Sequence, residues 1–171
     1  MNLAARLAAE INQTGSMSIA AYMRRCLHHP TGGYYAARPR LGADGDFITA
    51  PHVSQMFGEL LGLWAVEAWR RLGAPPRARL VELGPGDGTL MADALRAARV
   101  APDFDAAREV WLVETSSPLR VLQEAALAGS ASCPRWVEDL AAVPADAPVI
   151  VLGNEFLDCL PIRQYVRTPD G

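Results

Sequence analysis

One acid and three glycines recur at every second position near the middle of the chain. They are Glu82, Gly84, Gly86 and Gly88. Glycine adopts positive φ angles freely and lets a ligand approach the backbone without a Cβ in the way. A carboxylate beside such a turn attracts a positively charged group. The spacing therefore indicates a turn that binds a small ligand through its backbone and one acid.

The elements around this turn predict a nucleotide site. Residues 80–83 form a short apolar run with the length of a buried parallel strand, and residues 89–96 show helical spacing. Strand, glycine turn and helix in this order place a nucleotide at the carboxyl end of a parallel sheet. A tight structural turn without a ligand is the alternative. The agreement of acid, glycines and helix favours the cofactor site.

The spacing of the glycines also distinguishes between the nucleotide ligands that such a turn can bind. The dinucleotide fingerprint Gly-x-Gly-x-x-Gly/Ala would place Thr89 at its last position, where it does not fit, and no Lys-Ser/Thr pair follows as in a P-loop. The pattern Glu-x-Gly-x-Gly-x-Gly is instead typical of sites for S-adenosyl-L-methionine (SAM). SAM has no phosphate and carries an ammonium and a sulfonium, so Glu82 suits it.

Further acids end the next two predicted strands. Glu114 closes the strand 109–114, where an acid accepts hydrogen bonds from ribose hydroxyls. A cap for the following helix is the alternative, and both roles can coexist if Ser116 or Ser117 does the capping. Asp139, favoured over Glu138, closes a short strand at 135–140 and could receive the adenine amino group. A surface turn explains Asp139 equally well.

The order of elements predicts the fold. Strand, helix, strand, helix, strand, loop and strand indicate a doubly wound α/β, Rossmann-like parallel sheet with helices on both faces. Its fourth strand, 149–153, reads as fully buried and leads into Asn154, Glu155 and Asp158. Residues 100–105 read as a loop. Residues 162–167 alternate like an edge strand whose return strand is missing, so we expect a truncated domain.

A helical extension precedes the sheet. Helices are predicted at 3–11, ended by Gly15, and at 19–27, capped by Ser18. The loop 30–51 contains Asp46 and Thr49 and is expected to cover a pocket. The helix 53–71 is expected to bury one stripe in the core. That stripe consists of Phe57, Leu60, Leu61, Trp64 and Ala68. We therefore expect a helical segment at 1–75 and a partial SAM-binding domain at 76–171.

Length and composition restrict the function classes. The chain has 171 residues, half of them hydrophobic, and a net charge of −3, which gives no basic footprint for nucleic acid. No apolar run approaches the roughly 20 residues that span a bilayer. The start lacks the apolar centre of a signal peptide. Three distant cysteines form no disulfide framework, and the pair His28-His29 reads as a solvated helix end. We expect a reduced, cytoplasmic protein without a metal site.

Several stretches together resemble the MidA family of class I SAM-dependent methyltransferases, whose mitochondrial member assists assembly of respiratory complex I. They are residues 45–51, 54–59, 82–91, 113–114, 117–120 and 154–161. The resemblance implies a seven-stranded methyltransferase sheet, of which this chain is the N-terminal portion, and SAM as cofactor. For the mitochondrial member it implies symmetric dimethylation of an arginine in a complex I subunit.

The resemblance also implies roles for individual residues. Glu155 and Asp158 would hold an arginine guanidinium, and Asn154 would orient it. Asp46 and Thr49 would close over cofactor or substrate. Capping of a helix start is the alternative for the two acids. A small-molecule methyltransferase and a non-catalytic assembly protein remain alternatives for the whole chain.

The chain departs from the family pattern at three places. The family usually has a basic residue at the position of Asp87 and Ser-Pro-Glu where this chain has Ala50-Pro51-His52. It has a histidine where Arg163 stands. Asp87 beside Glu82 makes the turn more acidic, which suits a cationic ligand.

Overall fold

The computed structural model describes residues 2–37, 48–130 and 133–168. The chain forms two compact units. Among the described residues, the first unit contains 2–37 and 157–168, and the second contains 48–130 and 133–156. The parallel sheet and the glycine turn belong to the second unit.

The described part of the chain forms a sheet of four parallel strands in the order β3-β2-β1-β4. The strands are β1 (Ala78–Leu83), β2 (Arg108–Val113), β3 (Arg135–Val137) and β4 (Val149–Leu152). Leu80 pairs with Val110 on one side and with Ile150 on the other. The order reverses between β1 and β4, so the predicted doubly wound fold is confirmed. In such sheets a ligand binds beyond the carboxyl ends of the strands at the point of reversal.

Eight α-helices lie in the described part of the chain. They are α1 (Leu3–Thr14), α2 (Ile19–His28), α3 (Tyr34–Ala37), α4 (Ala50–Val53), α5 (Gln55–Arg71), α6 (Thr89–Ala98), α7 (Pro102–Ala107) and α8 (Ser117–Leu127). In the first unit, the Asn2 side chain caps α1 and Ser18 caps α2, as expected for the second of these helices. The predicted loop at 100–105 is wrong, because Pro102 begins α7. None of the helices that the structure describes is long and apolar enough to cross a bilayer.

The helix α5 packs on α6 through its small residues, which corrects the predicted stripe. A Cβ on Gly62 would lie 2.2 Å from the Ala94 carbonyl oxygen, so the two backbones touch. This contact turns α5 so that Ala65, Val66 and Trp69 are buried. The stripe keeps Phe57, Leu61 and Ala68 partly buried against the core. Leu60 and Trp64, expected inside, are 58% and 52% exposed.

The strand β4 is half buried, so the expectation of a fully buried strand is wrong. Ile150 and Leu152 are buried, whereas Val149 and Val151 are 39% and 41% exposed. The reason is that β4 is an edge of the sheet in the described structure, with only one face covered by the core. Residues 162–167 form no strand, although their alternation predicted one.

Candidate functional site

The glycine turn at the end of β1 has a backbone that other residues adopt with difficulty. Gly84, Gly86 and Gly88 have φ angles of 61°, 59° and 90°, all in the left-handed region. A Cβ on Gly84 would lie 2.8 Å from Cδ2 of Phe156. The conformation therefore explains the predicted need for glycine at all three positions, and lack of space is a second reason at Gly84.

Glu82 is the buried acid of the site. Its side chain is 2% exposed, and its Oε2 has no hydrogen-bond partner in the described part of the chain. Burial, assisted by the nearby charge of Asp87, raises the pKa of Glu82 from 4.5 to about 8. A buried carboxyl oxygen without a donor is unfavourable in the protein alone. The ammonium of SAM offers the charge and the donors that this atom lacks.

Asp87 holds the middle of the turn together. Its Oδ1 accepts a hydrogen bond from the Thr89 N–H at 3.0 Å, and its Oδ2 lies 2.9 Å from Nε2 of His52. Burial opposes ionisation of Asp87, but the hydrogen bonds from His52 and Thr89 together hold its pKa below its usual range. Asp87 is therefore a charged group fixed beside the start of α6.

Thr49 reaches the turn through a residue that the sequence analysis did not assign. Its Oγ1 lies 3.0 Å from Nδ1 of His52, whose other ring nitrogen contacts Asp87. The imidazole therefore links the segment before α4 to the glycine turn. The hint in the sequence was that His52 and Asp87 both depart from the family pattern. The predicted site residue Asp46 lies outside the described residues.

Glu114, directly after β2, caps the start of α8, which was the alternative to its predicted ribose role, and the ribose role stays a prediction. It is 8% exposed, and its Oε1 accepts a hydrogen bond from the Ser116 N–H at 2.7 Å at the start of α8. Its Oε2 accepts one from Nε2 of Gln123 at 3.2 Å. Each carboxylate oxygen has two lone pairs, so capacity remains for two further donors. A ribose diol would supply them.

Asp139 has a local role in the structure. It is exposed, lies beyond the end of β3, and its Oδ1 accepts a hydrogen bond from the Ala141 N–H at 2.9 Å. It thereby caps the short 3₁₀ turn Leu140–Ala142. The strand was expected to reach 140 but ends at Val137. Contact of Asp139 with adenine stays a prediction.

The residues after β4 begin beside the turn. Asn154 is half buried and lines a hollow of about 350 Å³ with Leu152, Gly153 and side chains of α5. Glu155 is exposed and has a φ of 54°, a strained value for a residue with a side chain. Register places Glu82 next to Leu152, so the loop after β4 starts at the same edge as the glycine turn.

Asp158 belongs to the first unit. It is exposed in the 3₁₀ turn Phe156–Cys159. Burial is the main cause of the raised pKa of Tyr35, and the neighbouring Cys159 and Asp158 raise it further. Nε2 of His28 lies 2.8 Å from the carbonyl oxygen of Cys159, which gives this ring a structural partner. Within the described ranges, no cluster of three His, Cys, Asp or Glu side chains is arranged to hold a metal ion.

The site in the second unit fits SAM on three counts. The glycines of the turn have left-handed φ angles, Glu82 has a buried oxygen without a hydrogen-bond partner among the described residues, and Glu114 has spare acceptor capacity. All three lie at the carboxyl ends of β1 and β2, beside the reversal of strand order. The geometry thus agrees with a positively charged nucleoside as ligand.

Comparisons with known proteins agree with this geometry. The chain is 38% identical over 184 residues to the mouse "Protein arginine methyltransferase NDUFAF7, mitochondrial". It is 39% identical over 191 residues to the corresponding homolog from Drosophila melanogaster. A protein from Burkholderia thailandensis, crystallised with S-adenosyl-homocysteine, matches with a TM-score of 0.75 and 31% identity.

These matches cover nearly all of this chain but less than half of the relatives. The mouse alignment covers 95% of this chain and 42% of the relative, and the Drosophila alignment 99% and 43%. The Burkholderia match covers 93% of this chain and 42% of that protein. The model of a family described as putative S-adenosyl-L-methionine-dependent methyltransferases matches residues 60–171. Motifs, fold and family model agree: the chain belongs to this family of SAM-dependent methyltransferases.

Proposed function

We propose that the chain is the cofactor-binding part of an enzyme that methylates an arginine side chain of a protein. The observation that carries the proposal is the buried acid Glu82, which lies beside three glycines in the left-handed region. Its Oε2 has no hydrogen-bond partner among the residues that the structure describes. The relatives' names give arginine as the acceptor for those proteins. Because the chain spans less than half of their length, its own activity and acceptor are part of the proposal.

The residues on the cofactor side would bind and orient. SAM supplies an electrophilic methyl group on its sulfonium. Glu82 would hold the ammonium by a charge-assisted hydrogen bond, and Glu114 would accept from the ribose hydroxyls. Positive φ at Gly84 and Gly86 lets the backbone approach the ligand. Thr49 would act through His52 on the turn, and Asp139 would receive the adenine amino group.

The residues on the acceptor side would align a guanidinium. An arginine stays protonated at any working pH, so the nitrogen that accepts the methyl group also releases a proton, and transfer depends on alignment and on charge. Glu155 would face the guanidinium, and its strained backbone supports a functional role. Asn154 would orient one nitrogen by a hydrogen bond. The family resemblance implies that Asp158 also holds the guanidinium and that Asp46 closes over cofactor or substrate.

Calorimetry with S-adenosyl-homocysteine tests the cofactor part. Gly84→Val would abolish binding, because the new side chain meets Phe156 and the φ angle disfavours it. Gly129→Val is the matched control, since no heavy atom of the described residues lies within 4 Å of a Cβ there. Binding that survives Gly84→Val, or that is absent from the wild type, would contradict the proposal.

Transfer of a labelled methyl group tests the acceptor. Arginine peptides should become labelled, and matched peptides with lysine in place of arginine should not. Labelling of metabolites alone would instead identify a small-molecule enzyme. Cofactor binding without any transfer would favour a binding protein that has kept the fold.

The proposal extends to partners, location and organisation. The partner would be a protein substrate, and the resemblance implies a respiratory complex I subunit.

Cys26, Cys133 and Cys159 all lie among the described residues and form no disulfide, which suits a reducing compartment such as the cytoplasm. The relatives' names carry the word mitochondrial, so cell fractionation decides between two reducing compartments. A functional boundary near residue 75 also remains a proposal.

A further inference from the structure

Gln123 is a fully buried amide that contacts three parts of the second unit. It lies on α8 and is 0% exposed. Its Nε2 donates to the Gly86 carbonyl oxygen at 2.8 Å and to Glu114 Oε2 at 3.2 Å. Its Oε1 accepts from Nε1 of Trp136 at 2.8 Å. One side chain therefore joins the turn after β1, the end of β2 and the strand β3.

The partners fix the orientation of this amide. A carbonyl oxygen and a carboxylate only accept, whereas an indole N–H only donates. The amide nitrogen of Gln123 must therefore face Gly86 and Glu114, and its oxygen must face Trp136. Both N–H groups are used, so the side chain has no second arrangement that satisfies all three contacts.

This arrangement determines the plane of the Glu114 carboxylate. The terminal torsion of a glutamate is broad, so the carboxylate plane is loosely defined without partners. In the structure Gln123 holds Oε2 from one side while the Ser116 N–H holds Oε1. With one lone pair on each oxygen occupied, the directions of the remaining ones are set.

We infer that Gln123 is a positioning residue, which aims Glu114 at a ribose diol and fixes the second glycine of the turn at the same time. The inference rests on the proposed function, because it takes the ribose of SAM as the ligand of Glu114. The Gly86 carbonyl points at Gln123, so in a trans peptide the following N–H of Asp87 points the opposite way. The Cα of Gln123 would lie 3.1 Å from a Cβ on Gly88, so α8 packs directly on the turn.

Selectivity for the ribose hydroxyls is the readout that separates positioning from stability. The ligands are S-adenosyl-homocysteine and its 2′,3′-dideoxyribose analogue, each titrated by calorimetry into wild type and Gln123→Met. The wild type should prefer the natural ligand by about tenfold or more, because its hydroxyls satisfy a buried acceptor. In Gln123→Met the preference should fall to about twofold, because the natural ligand loses more affinity than the analogue.

Two further variants keep the test decisive. Glu124→Met places the same new side chain at an exposed position of α8 and should keep the wild-type preference. Trp136→Phe removes the N–H donor to Gln123 Oε1 together with part of the ring, and it should lower the preference in the same direction. It covers the case that Gln123→Met does not fold.

The outcomes separate the inference from the proposed function. Equal weakening of both ligands by Gln123→Met, or an unchanged preference in both Gln123→Met and Trp136→Phe, would overturn the positioning role alone. A wild type that binds neither ligand would remove the proposed function, and the inference with it.

Discussion

Replacement of Glu82 by glutamine should remove a loss of stability that grows as the pH rises toward neutral, and it should weaken the binding of the cofactor. Glutamine has nearly the same shape as glutamate and carries no charge. The wild-type carboxyl is 2% exposed, and its pKa is raised to about 8 by burial and by Asp87. The folded protein therefore keeps a proton on Glu82 at a pH where the unfolded chain has released it.

The sign and size of the effect follow from linkage. Between the ordinary pKa of 4.5 and the folded pKa of about 8, the folded state binds more protons, so the free energy of unfolding falls as the pH rises. One pKa unit corresponds to about 1.4 kcal/mol. The loss due to Glu82 is then about 1 kcal/mol at pH 5 and about 3 kcal/mol at pH 7. Glu82→Gln removes this loss, so its advantage over wild type should grow by about 2 kcal/mol across that range.

Urea unfolding at several pH values measures the effect. The change with pH is the quantity to compare, because the new amide also has a pH-independent cost for its buried donors. Glu124→Gln, an exposed acid on α8, is the control and should follow the wild-type curve. Parallel curves for wild type and Glu82→Gln would refute the argument that this carboxyl is buried and protonated.

Cofactor binding supplies the second half of this prediction. In the wild type at pH 7, binding of the ligand ammonium should ionise Glu82 and release a proton, visible as a buffer-dependent heat in calorimetry. Glu82→Gln should release no proton and bind S-adenosyl-homocysteine about tenfold more weakly or worse. Tight binding by this variant would show that Glu82 does not meet the ligand.

Three further predictions concern packing, the charged turn and the strained residue. Gly62→Ala should lower the free energy of unfolding by about 1–3 kcal/mol, because its Cβ meets the Ala94 carbonyl; thermal unfolding against Gly129→Ala checks this. Because the pKa of Asp87 is lower in the folded than in the unfolded state, its ionised carboxylate stabilises the fold at neutral pH, and this contribution is lost as the pH falls through the folded pKa. The difference in unfolding free energy between wild type and Asp87→Asn should therefore shrink in acid. An equal difference at pH 7 and pH 3 would contradict this. Glu155→Gly relieves the left-handed strain and should leave stability within about 1 kcal/mol while methyl transfer falls; Glu155→Gln with full transfer activity would remove its role.

Local patterns were sufficient for the sheet and for the turn. The apolar runs predicted β1, β2 and β4, and the spacing of Gly84, Gly86 and Gly88 predicted a turn whose φ angles require glycine. Glu82 and Glu114 followed from their places at the ends of strands. These features depend on neighbours in sequence or on the general rules of parallel sheets.

Tertiary contacts decided what the patterns could not. The buried side of α5 was assigned to its large side chains, whereas Gly62 and its approach to Ala94 rotated Trp64 toward solvent. Hydrophobic periodicity reports which residues are apolar and does not report where two backbones can touch. The alternation at 162–167 predicted a strand, but a strand also needs a partner edge.

Long-range polar partners were missed for the same reason. His52 contacts Asp87 from 35 positions away, and Gln123 contacts Gly86 from 37 positions away. Nothing in their immediate neighbours distinguishes them from surface residues. For the first pair a hint existed, since both positions depart from the family pattern and the two departures form one hydrogen bond.

The close approach of α5 and α6 makes part of the cofactor site rigid before the cofactor binds. At Gly62 no layer of side chains separates the two helices, so little can be compressed or rearranged between them. The helix α6 begins with Thr89, directly after the last glycine of the turn. The N–H groups of its first turn are thus held in direction before any ligand arrives. Binding of the cofactor beside the start of α6 should therefore cost this part of the protein little conformational entropy. The slowing of amide hydrogen exchange on cofactor binding should be concentrated in residues outside α5 and α6.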